Sequence, residues 1–200
     1  ITALYSWVNP NPGLMIFGGI GGFIMALITI FKKTWVPYTV SGYALLKGLA
    51  LGGISRFYEV QYPGIVSQAV FLTFGILAAL LLAYKSKLIK PTENFKLGLM
   101  AAMGGIFLVY LISFIMSFFG SGLSILSPNN SSMLSIGLSL FIVVIASLNL
   151  VLDFDFIEEG AEKGAPKYME WYGAFGLLVT LIWLYLEILR LLAKLQSRRN

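Results

Sequence analysis

The sequence predicts an all-α fold, a polytopic bundle of transmembrane helices. Of the 200 residues, 58% are hydrophobic and 12% are charged, and the mean hydropathy is +0.85. Soluble domains carry about 25% charged residues, so this chain has about half of their usual solubilising surface. The apolar residues also occur in runs of about 18–25, long enough to cross a hydrocarbon core of about 30 Å. A transmembrane β-barrel would instead show short alternating segments, which the sequence lacks.

Six spans are predicted, within a single transmembrane helical domain that covers residues 1–200. Their approximate bounds are 13–31, 37–57, 65–84, 95–119, 133–153 and 171–195. Lysines follow the first and third spans, and the positive-inside rule places those ends in the cytoplasm. Residues 1–8 have the composition of the end of an apolar segment, so we expect a seventh helix upstream of them.

Glycines recur at a spacing that favours close helix contacts. Gly18 and Gly22, and likewise Gly48 and Gly52, are separated by three residues inside apolar runs. This small-xxx-small spacing lets two helix backbones approach each other. Close packing is therefore predicted for these glycines, and a hinge used in gating is the alternative.

The composition also excludes several functions. The chain contains no cysteine and no histidine, which removes disulfides, thiolate nucleophiles and most zinc, haem and iron–sulfur sites. We therefore expect no cofactor. The net charge of +5 comes from basic residues that lie mostly at helix ends, so it indicates the lipid bilayer as a partner and not nucleic acid.

Acidic residues within a span are the strongest functional signal, since each costs roughly 2.5–3.5 kcal/mol on insertion scales. Glu187 is flanked by apolar residues in the sixth span, and Asp153 and Asp155 end the fifth. For Glu187 the structural alternative is a local pair with Arg190, three residues further along the same helix face. For the aspartates it is an interfacial position, and their spacing turns their side chains about 200° apart.

Two of these acids can form a pH-sensitive site if they meet. In a low-dielectric interior Asp153 and Glu187 cannot both ionise, so they would share a proton. An oxygen-rich negative site of this kind also suits a hard cation such as calcium. A sixth span that begins at Trp171 would place Glu187 about 24 Å along the helix. The pair therefore meets only if residues 172–176 lie outside the hydrocarbon or re-enter it.

An intramembrane aspartyl protease would also use acids on two helices. That class needs a Gly-x-Gly-Asp motif and a second aspartate, and the chain has neither. We therefore expect no enzymatic activity.

Two segments in the C-terminal third resemble a known family. Residues 148–157 (LNLVLDFDFI) contain an apolar run, an aspartate, and an isoleucine four residues on; residues 184–192 (LYLEILRLL) contain a Leu-Tyr-Leu-acid segment. Together they resemble the Bax inhibitor-1 family, also called the transmembrane Bax inhibitor motif family, in its bacterial branch. Residues 164–192 are similar to that branch, and residues 68–74 match more weakly.

The resemblance implies seven helices with the last one central, and a pH-sensitive calcium leak channel in the bacterial plasma membrane. By motif position it makes Asp153 and Glu187 the sensor, with transient calcium binding at the same two residues. Glu187 stands where the family usually has aspartate. The full set of predicted site residues is Asp153, Glu187 and Asp155 for the sensor and ion pathway, and Lys32, Lys33 and Arg190 for a latch or pairing role.

A second function is kept beside the channel: a non-transporting membrane regulator that binds other membrane proteins, such as a quality-control protease. The channel predicts that Asp153 and Glu187 approach each other inside the bundle. The regulator predicts a structural pair between Glu187 and Arg190 and no continuous polar path. The packing of the helices and the flux of ions therefore distinguish the two hypotheses.

Overall fold

The computed structural model describes residues 1–120, 122–128 and 130–199, and these residues form helices and connections without any strand. The all-α prediction is therefore confirmed. The α-helices of the described residues are α1 (Thr2–Val8), α2 (Pro12–Phe31), α3 (Val36–Gln61), α4 (Ile65–Lys85), α5 (Glu93–Phe118), α6 (Met133–Glu162) and α7 (Tyr168–Arg199). Short 3-10 turns lie at Lys33–Trp35 and Ser124–Leu126.

Among the described residues, five helices are long and apolar enough to cross a membrane, namely α2 and α4 to α7. They correspond to five of the predicted spans. The remaining predicted span, 37–57, lies in α3, which is 26 residues long but less apolar. Lys47, Arg56 and Glu59 lower its hydropathy, and its buried face includes threonine, serine and glycine. The composition of α3 therefore reflects contacts with protein more than contact with lipid.

The chain forms two compact units, each built from segments distant in sequence. The first unit contains residues 1–66 and 156–178. The second contains residues 67–155 and the chain from Val179 onward. Both α6 and α7 therefore contribute to each unit.

In the first unit, polar side chains cap the start of α2 and join its other end to α3. The Asn11 side chain caps the start of α2 by accepting a hydrogen bond from the Gly13 amide at 2.8 Å, with Pro12 in the first turn. Near the other end of α2, the Thr29 hydroxyl donates to the Thr39 hydroxyl of α3 at 2.8 Å, and both side chains are buried. This bond fixes the two helices next to their short connection.

Glycines allow the helices of the first unit to approach each other. A Cβ atom on Gly18 would collide with the Leu46 carbonyl oxygen of α3, and one on Gly52 would collide with the Ala3 carbonyl oxygen of α1. Similar close approaches, to side chains, occur at Gly22 and Gly48. The prediction of close packing is confirmed at these positions.

The second unit has an apolar core between α5 and α6. Its buried members are Leu99, Ile106, Ile142 and Ile145, and Trp183 of α7 packs against them. Tyr110 of α5, whose hydroxyl is polar, also packs against this core.

We expect Gly52→Ala to lower the melting temperature, since the added methyl group would collide with the Ala3 backbone, and overpacking typically costs about 1–3 kcal/mol. Thermal unfolding of the purified protein in detergent, followed by circular dichroism, measures the change. Gly19→Ala is the matched control, because a Cβ atom there meets nothing within 4 Å. Alanine also favours a helix over glycine, so the control is expected to be neutral or stabilising. Equal destabilisation by both variants would contradict the packing role of Gly52.

Candidate functional site

Three polar side chains follow one face of α7 and are almost fully buried. Thr180, Glu187 and Lys194 recur at intervals of seven residues and are 4%, 2% and 0% exposed, respectively. Seven residues are close to two helical turns, so the three side chains face the same side and are spaced by about 10 Å. We call them the polar stripe. Each has its own set of contacts in the second unit.

In the middle of the stripe, Glu187 forms an ion pair with Arg190 and a hydrogen bond with Tyr110. The Arg190 Nη1 atom lies 3.0 and 2.9 Å from the two carboxylate oxygens of Glu187. The Tyr110 hydroxyl donates to Glu187 Oε1 at 2.7 Å and accepts a hydrogen bond from Arg190. Each of the three groups contacts the other two, and together they join α5 to α7. The local pairing weighed for Glu187 is therefore present in the structure, and Tyr110 is a partner that the sequence did not predict.

Asp153 lies beside the first residue of the stripe. The Asn149 amide donates to the Thr180 hydroxyl at 2.9 Å, and this hydroxyl also interacts with the Asp153 carboxyl group. The Asp153 Oδ2 atom is buried and has no hydrogen-bond partner among the described residues. A buried polar atom without a partner is costly and uncommon in proteins. Among the described acidic residues of this unit, Asp153 thus has a buried oxygen that makes no hydrogen bond.

The described contacts do not join Asp153 to Glu187. Asp153 is next to Thr180, and Glu187 follows Thr180 by about 10 Å along α7. Glu187 is instead bonded to Arg190 and Tyr110. The axial rise of the helix separates the two carboxylates, so no hydrogen bond between them is formed among the described residues. Their roles as sensor and transient calcium site stay predictions.

Asp155 faces a different neighbour, as its spacing from Asp153 requires. Its Oδ2 atom forms an ion pair with Lys96 Nζ at 2.7 Å, and its Oδ1 atom accepts a hydrogen bond from the Tyr84 hydroxyl at 3.4 Å. The Lys96 and Asp155 side chains are each 24% exposed. Asp155 therefore connects α6 to α4 and α5 at a partly exposed level.

Lys194 ends the polar stripe in a pocket of neutral oxygens. Its Nζ atom donates to Ser139 Oγ at 2.8 Å and to the carbonyl oxygens of Ile125 at 3.0 Å and Ser135 at 3.3 Å. From its place near the end of the sixth predicted span, this lysine would belong to the basic residues at helix ends. The structure instead places it fully inside the second unit.

Lys32 and Lys33 lie in the first unit and contact aromatic rings. The Lys32 Nζ atom is 4.4 Å from the centroid of the Trp35 ring, and the Lys33 Nζ atom is 5.4 Å from the Tyr172 ring. Both distances are in the range of cation–π interactions. Their proposed role as a latch stays a prediction.

Apolar helices of spanning length, with ionisable side chains buried among them, define the class: this is a polytopic α-helical membrane protein. A family model described as Bax inhibitor 1 like matches residues 1–197, and the chain belongs to the Bax inhibitor-1 family. The match confirms the resemblance to the family found in the C-terminal third and extends it over nearly the whole chain, while the bacterial branch stays a prediction. No curated protein and no solved structure matches the chain.

We expect Glu187→Gln to destabilise the protein by about 3 kcal/mol, because it leaves the Arg190 charge without its carboxylate. The double variant Glu187→Gln/Arg190→Gln should lose less than the sum of the two single variants, with a coupling energy of about 0.5–3 kcal/mol. Unfolding by denaturant in detergent measures the free energy of unfolding of the two single variants and of the double variant. Tyr110→Phe removes one hydroxyl from the network and should cost about 1 kcal/mol. Strictly additive losses would show that Glu187 and Arg190 do not act as a pair.

Proposed function

We propose that this membrane protein is a pH-sensitive cation leak channel of the Bax inhibitor-1 type, with calcium as the permeant ion, in a bacterial plasma membrane. The observation that carries the proposal is the Asp153 carboxyl group, which has a buried oxygen without a hydrogen-bond partner among the described residues. An anionic oxygen in such a place needs either a proton or a cation to satisfy it. Asp153 is thus the residue through which pH and a passing cation would compete.

The depth covered by the polar groups of the second unit supports the proposal. Along α6, the distance from Ser135, beside Lys194, to Asp155, beside Lys96, is about 30 Å by the rise per residue. This is about the thickness of the hydrocarbon core. Ionisable or hydrogen-bonding groups therefore occur at successive levels across the membrane-spanning part of this unit.

At the level of Glu187, the polar groups are bonded to one another, and the apolar core packs beside them. Ile142 and Ile145 lie on α6 between the level of Ser139 and that of Asn149, and they pack with Ile106 of α5. Apolar constrictions block ions by excluding water. We therefore assign the structure to a closed state of the proposed channel.

The proposed sensor acts on the contact between α6 and α7. Thr180 has Asn149 and Asp153 as neighbours on α6. A change in the charge of Asp153 would therefore change the hydrogen-bond partner of the Thr180 hydroxyl. Glu187, by contrast, is held by Arg190 and Tyr110 and fixes α7 against α5. In this scheme Asp153 responds to pH and Glu187 maintains the closed packing.

The second candidate function is the non-transporting regulator that binds other membrane proteins, such as a quality-control protease. The Glu187–Arg190 pair is the observation that favours it, because a structural pair requires no ion pathway. On this hypothesis the buried charges stabilise the bundle, and the protein acts through its membrane-facing surface.

The two functions are separated by calcium flux into proteoliposomes, measured with an internal dye from about pH 5 to about pH 8. We expect the wild-type protein to conduct with a pH-dependent rate, and Asp153→Asn to conduct without that dependence. Asp155→Asn is the matched control, because Asp155 already has Lys96 as its partner. It should keep the pH dependence.

If the pH dependence survives in Asp153→Asn but disappears in Asp155→Asn, the sensor is Asp155, and the assignment of this role to Asp153 is wrong. The absence of flux in the wild-type protein, with a native circular dichroism spectrum, would exclude the channel. Crosslinking in native membranes should then recover a membrane-protein partner, as the regulator hypothesis requires.

A further inference from the structure

The surroundings of Lys194 are unusual for a buried charge. The side chain is fully buried, and an ammonium group has three N–H donors. Among the described residues its acceptors are neutral: Ser139 Oγ, the Ile125 carbonyl and the Ser135 carbonyl, at 2.8, 3.0 and 3.3 Å. Burial of a charge is normally compensated by an opposite charge. Here uncharged oxygen dipoles serve that purpose.

The nearest acid along the polar stripe does not take that role. Glu187 lies about 10 Å from Lys194 along α7, and its carboxylate is bonded to Arg190 and Tyr110. Among the described residues, Lys194 forms no ion pair within 4 Å. The ammonium group is therefore held by neutral oxygens, which are also the type of ligand that binds a free alkali cation.

The oxygens around Lys194 are also held in position by contacts that do not involve the lysine itself. Ser135 and Ser139 are one helical turn apart on α6 and are buried. The Ser135 hydroxyl donates to the Ile125 carbonyl oxygen at 2.7 Å, which holds the 3-10 turn Ser124–Leu126 against the helix. Oxygens held in place in this way can take over part of the hydration shell of a monovalent cation.

We propose that the Ile125, Ser135 and Ser139 oxygens form a binding site for a small monovalent cation, and that Lys194 occupies this site with its own ammonium group. The wild-type protein then binds no free cation there, because the site is permanently filled by a tethered one. A variant without the ammonium group accepts a small cation from solution. This site is separate from the proposed Asp153 sensor and does not depend on the leak activity.

The test compares the melting temperature of Lys194→Ala in potassium chloride, ethylammonium chloride and choline chloride at equal ionic strength. Ethylammonium has three N–H donors and resembles the part of the side chain that is removed, whereas choline is bulky and has none. We expect Lys194→Ala to melt below the wild type in choline. Potassium or ethylammonium should raise its melting temperature by about 2–4 °C once the cation exceeds its Kd about fivefold.

Two controls define the site. The wild-type protein and Lys163→Met, which removes an exposed lysine paired with Glu159, should melt at the same temperature in all three salts. Lys194→Ala/Ser139→Ala, which also lacks the hydroxyl ligand, should lose most of the rescue.

Identical melting of Lys194→Ala in the three salts would overturn the proposal and leave Lys194 as a tie between α7 and the α5–α6 connection. Failure to recover folded Lys194→Ala in any of the salts would also overturn it, because a cation site must accept a cation in place of the ammonium group. Recovery only in potassium or ethylammonium would support the site.

Discussion

The second unit depends on one constraint: a polar or charged group on a membrane helix must find its partner within the protein. The polar stripe of α7 meets this requirement with a separate partner at each level. Thr180 is bonded to Asn149 of α6, Glu187 to Tyr110 of α5, and Lys194 to Ser139 of α6. These contacts determine which neighbours α7 has and at what height it meets them.

Apolar packing alone would determine much less. In lipid there is little hydrophobic driving force between helices, so leucine and isoleucine side chains allow several rotations of similar energy. A rotation of α7 by one residue, about 100°, would turn every member of the polar stripe away from its hydrogen-bond partner. The hydrogen bonds therefore define the rotation and axial position of α7, while the apolar core provides the bulk of the contact.

Local features of the sequence predicted a large part of this arrangement. Hydropathy gave the long apolar helices, and the three-residue spacing of Glu187 and Arg190 gave their pairing as an alternative. The partners distant in sequence could not be predicted in this way. Tyr110 is 77 residues from Glu187, and the sequence around neither residue indicates the other as its partner.

The interior position of Lys194 was missed for a related reason. A lysine near the end of a span normally extends towards the interface, and the positive-inside rule counts it as a flanking charge. Only the fold shows that Ser135 and Ser139 supply oxygens at the same height. The signal available in the sequence was the pair of serines one turn apart on α6. Such a pair indicates hydrogen-bond acceptors on that helix, but it does not indicate which residue donates to them.

The composition of α3 has a consequence for how the protein is made. A segment that contains Lys47, Arg56 and Glu59 partitions poorly into lipid by itself, since each charge opposes transfer. The preceding helix, α2, is strongly apolar, and only the short stretch around Lys33–Trp35 separates the two. The translocon would therefore release α2 and α3 as one helical hairpin, with the Thr29–Thr39 bond already available at its turn. On this reasoning the insertion of α2 and α3 would be cooperative, because the apolar helix would bring the less apolar one into the bilayer.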